Sequence, residues 1–165
     1  QNIEGGEEML EVAETIGTGL NELRALSKSI NPEAINGQSL IKSLEMEVAR
    51  FNRLKFLSAE YELLGDPVVI DSQAEIVLFR IVQEFITNTM KHSKAANLKL
   101  SVHFKADSLE IIAHDDGVGF DSEKVVKNGI GLSNIDKRAN LINAHVRINS
   151  IPGAGTQLKL IYPLD

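Results

Sequence analysis

Apolar residues recur at three- and four-residue spacing along 80–94, RIVQEFITNTMKHSK, where Ile81, Val82, Phe85, Ile86, Thr89 and Met90 fall on one side. That is the period of a helix with one face buried. The opposite face carries Gln83, Glu84, Thr87, Asn88, Lys91 and His92, and within it Glu84, Asn88 and either Lys91 or His92 stack at one-turn spacing. Ser72 with Glu75 three residues on reads as a capping box, which starts this helix near Gln73. Upstream, Leu40, Ile41, Leu44, Val48 and Phe51 predict a helix over 39–52, and alternation at Leu57, Ala59, Tyr61 and Leu63 predicts a strand that Gly65, Asp66 and Pro67 end. Downstream, Leu98, Leu100, Val102, Phe104 and Ala106 alternate, as do Leu109, Ile111 and Ala113. Two such runs joined by a short turn at 106–108 predict a β-hairpin. A helix over 132–143 with Ile135, Ala139 and Ile142 inward, then strands at 146–150 and 156–162 around Pro152, Gly153, Ala154 and Gly155, complete the pattern. Helices grouped against a mostly antiparallel sheet make an α+β two-layer sandwich.

The first thirty residues follow another rule. Met9, Ala13, Ile16, Leu20, Leu23, Ser27 and Ile30 form a heptad seam, weakened by Gly17 and Gly19. The seam spans three heptads at most, so it suits either a partner helix or a terminal helix packed on its own domain. Asn31 before Pro32 ends it, and 32–37 reads as a boundary. The expected organisation is therefore a helical element over 1–36 and a globular domain over 37–165. Beginning with Gln1 rather than Met, the chain reads as a fragment of a longer protein. A length of 165 residues suffices for a real core, and a net charge of -6 argues against a nucleic-acid footprint. Cysteine is absent, which excludes disulfides and thiolate metal sites, and no apolar run is long enough to predict a membrane helix.

Candidate chemistry sits on the long amphipathic helix and on three glycine-bearing turns. A carboxylate, a carboxamide and a cation on one helix face suit a hard divalent ion with a polyphosphate, or simply a solvated face. The second hairpin strand runs into Asp115, Asp116, Gly117, Val118 and Gly119. There the carboxylate of Asp115 can accept from a flat donor such as an exocyclic amine, while the glycines let the backbone approach closely; a turn with solvated acids is the other reading. Calcium is disfavoured, because the spaced acids of an EF-hand loop are missing after Gly119. Gly129 and Gly131 precede the last helix, whose free first-turn amides favour phosphate, and Gly155 with Thr156 opens the last strand.

Taken in order, Glu84 and Asn88 on a helix, DxGxG after a hairpin strand, a loop of about ten residues, GxGL opening a helix and GT opening the last strand resemble the ATP-binding catalytic domain of sensor histidine kinases. That fold is shared with gyrase-type and heat-shock chaperone ATPases. The resemblance covers 71–164, and LNELRALSKSINPEAI resembles the second dimerisation helix and its linker. It implies a Bergerat-type fold, ATP and Mg2+ as cofactors, and transfer of the γ-phosphoryl to a histidine. Position by position it implies Asn88 as magnesium ligand, Glu84 as the catalytic acid or water-orienting residue, and Lys91 with His92 beside it at the phosphates. Asp115 would accept from the adenine amine over Gly117 and Gly119, with the hydroxyl of Thr156 supporting it. Gly129 and Gly131, followed by Leu132, match the lid near the phosphates, and the lid over 119–131 is expected to move in the absence of nucleotide.

The resemblance further implies a second copy of the chain and a response-regulator receiver domain as partners, and a cytoplasmic location, with membrane anchoring of the whole protein left open. Residues 1–30 contain no histidine, so the acceptor is missing. His114 followed by Asp115 imitates the acceptor signature but ends a strand, and His103 and His145 read as structural or exposed. Thr89 and Met90 stand where some relatives have a second Asn-Ala pair, which leaves magnesium resting mainly on Asn88 and water. A serine kinase that inhibits a sigma factor, or a module that binds ATP without transferring phosphate, are the alternatives.

Overall fold

The computed structural model describes residues 39–55, 57–121 and 130–164, the last without the side chains of 130–134. The heptad seam, most of the expected lid and Gly129 lie outside them.

Helix α1 (Leu40–Leu54) follows an N-cap at Ser39 and buries Leu40, Leu44, Val48 and Phe51. Lys55 ends it in the left-handed conformation, φ 55°. Asn52, on its last turn, clamps the next element: the side-chain amide donates to the Ala59 carbonyl at 2.7 Å, and its oxygen accepts from the Ala59 amide at 2.8 Å. That element is β1 (Ser58–Leu64), which buries Ala59 while Leu63 and Leu64 stay exposed. The alternation foretold a strand here, and the structure makes it an edge.

Helix α2 (Ser72–Asn88) is capped one residue earlier than the sequence predicts. Asp71 Oδ1 accepts from the amides of Gln73 and Ala74 at 3.0 Å each. The capping box at Ser72 and Glu75 does not form, because Glu75 Oε1 instead accepts the Leu40 amide at 3.1 Å. First-turn amides have no partner within their own helix and welcome an anion, so Glu75 fastens the start of α1 to the start of α2.

At its other end α2 continues through one π-helical turn, Thr89–Ser93. A wider turn rotates every later side chain relative to the 3.6-residue period. Thr89 remains buried, but Met90, expected on the inner face, is 38% exposed.

Strands β2 (Asn97–Phe104) and β3 (Ser108–Asp115) form the predicted hairpin, with Leu98 opposite Asp115 and Phe104 opposite Leu109. Ala106 leaves the expected alternation and lies exposed in the turn. Helix α3 (Ile130–Leu141) begins two residues before the predicted 132 and buries Ile135 and Ala139, with Ile142 half-buried just past its end. Strands β4 (His145–Ser150) and β5 (Thr156–Pro163) close the sheet in the order β1-β2-β3-β5-β4. Its pairings are antiparallel except β1 with β2. Parallel neighbours require a crossover over one face, and α2 with its π-turn is that crossover.

Between sheet and helices lie Leu44, Leu78, Ile81, Leu100, Ile111 and Leu158, each 0% exposed. A side chain buried to this degree contributes about 1.5–3 kcal/mol. On the opposite face Lys99 and His114 are exposed, and Glu110 receives Lys159 at 2.6 Å and Lys105 at 3.0 Å. The protein is thus an α+β two-layer sandwich on a mixed, mostly antiparallel sheet. Among the described residues no helix is long and apolar enough to cross a membrane.

Candidate functional site

Leu109, Ile111 and Ala113 point inward from β3, and the same alternation carries Asp115 to the buried side, where it is 1% exposed. A buried carboxylate is costly unless hydrogen-bonded. Its Oδ2 accepts from Thr89 Oγ1 at 2.9 Å and its Oδ1 from the Gly117 amide at 2.9 Å. A carboxylate offers about four acceptor positions, so capacity remains for a ligand.

Asp116 turns outward instead. It accepts from the amides of Ala96 and Asn97 at 2.9 and 2.8 Å and from Asn97 Nδ2 at 2.8 Å. The bonds from the Asn97 backbone, then from its side chain, hold the Asp116 carboxyl below the usual value. Such a group stabilises the fold above its unfolded pKa and loses that contribution as pH falls through the lower folded one. The difference in Tm between the parent and Asp116→Asn is therefore expected to be widest at neutral pH and to close below about pH 4. A difference that does not vary across an acid titration contradicts it.

The turn after Asp115 is tied to the π-turn. The Val118 amide donates to the Ser93 carbonyl at 2.7 Å, and the Gly153 amide donates to the Val118 carbonyl at 2.7 Å. A side chain at Gly117 would place its Cβ 2.3 Å from the Ser93 oxygen and 2.8 Å from Asp115 Oδ1. Only glycine allows this approach.

Above the turn lies a cavity of about 170 Å³, open to solvent at its mouth, with apolar walls from Phe85, Phe120, Ile135 and Ile148. Its polar side chains are Asn88, Thr89, His92, Ser93, Asp115 and Thr156. Small-molecule sites have this composition, apolar walls with a few placed polar groups. A flat ring suits the walls, and a hydrogen-bond donor suits Asp115.

Of the residues singled out from sequence, Asn88, His92, Asp115, Gly119 and Thr156 line the cavity. Gly117 is buried beneath Asp115. Glu84 is half-buried one turn before Asn88 on the same stripe, outside the lining. A turn earlier again, Arg80 donates to Gln83 at 2.8 Å, and burial, then the nearby Arg138, lowers its pKa against an opposing pull from Glu47. Lys91 is exposed and apart from the lining, so the widened turn presents His92 rather than Lys91. Gly131 and Leu132 fall in the first turn of α3. Thr156 shares a 2.9 Å hydrogen bond with Ser150 Oγ, and the direct hydroxyl on Asp115 belongs to Thr89. Sequence reading placed Thr89 in the core. A hydroxyl among buried apolar residues needs a partner, and that was the available signal.

Residues 73–165 match the family described as histidine kinase-, DNA gyrase B-, and HSP90-like ATPase. The chain belongs to this family. All the cavity residues fall inside the matched stretch. Among relatives of the family, the chain is 35% identical over 153 residues to an uncharacterized sensor-like histidine kinase of Chloroflexus aurantiacus, covering 87% of this chain and 26% of that protein. It is 30% identical over 148 residues to the sensor histidine kinase LiaS of Bacillus subtilis, covering 90% of this chain and 41% of that one. The chain thus spans less than half the length of these curated relatives. The ATP-binding domain of PrrB from Mycobacterium tuberculosis shares the fold, with a TM-score of 0.61 and 23% identity over 78% of this chain and 96% of that one.

Proposed function

We propose that the chain is the ATP-binding catalytic part of a two-component sensor histidine kinase, which transfers the γ-phosphoryl of ATP to a histidine nitrogen on a segment outside it. One observation carries this reading: a buried aspartate with unspent acceptor capacity faces the same apolar-walled cavity as the carboxamide of Asn88. Asp115 accepts from the amino group of adenine while Phe85, Phe120, Ile135 and Ile148 flank the ring. Gly117 and Gly119 form the floor, and Thr156 closes the side toward β4.

Phosphates then extend toward the end of α2. His92 and Lys91 on the π-turn offset their charge, and the first-turn amides of α3, with Gly129, Gly131 and Leu132, cover them. Glu84, one turn before Asn88, orients the attacking nitrogen or takes its proton. Among the described residues no group of three or more His, Cys, Asp or Glu could hold a metal ion. The carboxamide oxygen of Asn88 in the cavity lining suits magnesium, a hard ion that takes oxygen ligands, keeps several waters and is completed by the phosphates. When bound, the ion neutralises charge developing on the phosphate oxygens. Phosphoryl transfer asks mainly for positioning and charge neutralisation, which such a site provides. The phosphoryl group would pass onward to a response-regulator receiver domain, with two copies of the protein associating through the seam at 9–30.

Two measurements test the proposal. The chain should bind Mg·ATP in a calorimetric titration, and a version extended upstream to include the acceptor histidine should take label from γ-labelled ATP as acid-labile, base-stable phosphate. A folded, ATP-binding dimer that acquires no label would instead mark a nucleotide-sensing module.

A further inference from the structure

The geometry points to Thr89 as a positioning residue that sets base selectivity at this site, an inference that rests on the nucleotide reading above. Thr89 opens the π-turn, is 4% exposed, lines the cavity, and donates from Oγ1 to Asp115 Oδ2 at 2.9 Å. A carboxylate supplies no proton, so the single hydroxyl proton of Thr89 is committed to Asp115. Toward the cavity Thr89 therefore shows only lone pairs.

Among the described residues no other side-chain hydroxyl is recorded donating to Asp115. Thr156 lies directly opposite Asp115 across β3 and β5, but its hydroxyl is paired with Ser150 Oγ at 2.9 Å. Ser150 Oγ in turn receives the Phe120 amide at 2.8 Å and contacts the Gly155 carbonyl at 3.2 Å. That network belongs to the β4–β5 turn. The other donor to Asp115, the Gly117 amide, holds Oδ1 and leaves Oδ2 to Thr89.

Two consequences follow for a bound base. With both oxygens pinned, the carboxylate plane is fixed before a ligand enters, so no orientation has to be lost on binding. Asp115 and Thr89 together also present an edge made wholly of acceptors. An amino group satisfies that edge, whereas a ring carbonyl at the same position sets acceptor against acceptor and leaves buried groups unpaired.

The π-turn makes this possible. Ser93 Oγ donates to the Thr89 carbonyl, one turn back, at 2.6 Å and accepts the Ala95 amide at 3.0 Å, fixing the widened turn from within. The Ser93 carbonyl then receives Val118 from the loop below Asp115 at 2.7 Å. Thr89 and Asp115 are held at both ends of their hydrogen bond.

The test compares ATP with inosine triphosphate, which carries a carbonyl where ATP carries the amine, on the parent chain and on Thr89→Val and Thr89→Ser. Valine keeps the shape without the hydroxyl, and its preference for ATP over inosine triphosphate should narrow about tenfold, while serine stays within about threefold of the parent. The ratio of two affinities does not depend on the fraction of protein that is folded, so a less stable variant still reports. A Thr89→Val chain with the parent's preference, or a Thr89→Ser chain that loses it as far as valine does, overturns the inference while leaving the site in place. A parent that binds neither nucleotide overturns the site reading and this inference with it.

Discussion

Asp115→Asn is expected to weaken Mg·ATP binding by at least about a hundredfold, the largest loss available from one side chain in the cavity. Asparagine matches the shape of aspartate, so packing alone predicts little. The hydrogen bonds predict the opposite. Each carboxylate oxygen already receives a donor, Thr89 Oγ1 on one and the Gly117 amide on the other. An asparagine must set its own NH2 against one of these, or against the ligand amine it should accept from. With its NH2 toward Gly117 a buried donor faces a donor, a cost of about 1–3 kcal/mol. With its NH2 toward Thr89 the hydroxyl must turn round to accept, and in both orientations the charge-assisted bond to the base is lost. Titration calorimetry with ATP and magnesium measures it, with the far-ultraviolet spectrum checking the fold. Parent-like affinity in Asp115→Asn would place the base elsewhere.

The second large effect concerns Gly155, which the sequence shows only as part of a turn. Its φ is +84°, and an added Cβ would stand 2.0 Å from the carbonyl oxygen of Asp115 and 2.9 Å from its carbonyl carbon. Both are backbone atoms of a central strand and have no room to retreat. Gly155→Ala should therefore cost both left-handed strain and overpacking, together about 3–5 kcal/mol, and should weaken ATP binding by displacing Asp115. Gly153 supplies the control: its φ is +80°, but nothing lies within 4 Å of the position a Cβ would take. Gly153→Ala should lose only about 1 kcal/mol, from backbone strain alone. Urea unfolding of the two variants separates the contributions, and equal losses would show that close approach to Asp115 is not what fixes Gly155.

What could be read from the sequence, and what could not, divides by the range of the forces involved. The hairpin, the amphipathic stripe of α2 and the aspartate at the end of β3 are patterns of two to four residues, set by local backbone geometry, and they stand where the periodicity puts them. The π-turn has no such pattern. A shift of one residue in the helical ladder depends on what the carbonyls meet, here Ser93 Oγ against the Thr89 carbonyl, and it moved Met90 outward and His92 to the cavity. Glu75 has the spacing of a cap for its own helix, yet a partner 35 residues away in sequence takes it. The edge position of β1 was equally hidden, because alternation reports which faces differ and not how many neighbours the strand has. The role of Thr89 was hidden for a related reason. Its spacing put it with the apolar residues, and only the long-range contact with Asp115 separates a hydroxyl at work from one that is merely enclosed.

Only residues 94–96 separate the π-turn from β2, whose second residue, Leu98, pairs with Asp115. The helix that bears Asn88 and the strand that ends in Asp115 are therefore joined by a tether too short to give slack. Adding or deleting a residue there would slide one wall of the cleft past the other, whereas the hairpin tip at 105–107, at the far end of the same strands, can change length without the cleft registering it. Evolution can vary the two ends of β2 and β3 at very different rates while leaving the sheet itself untouched.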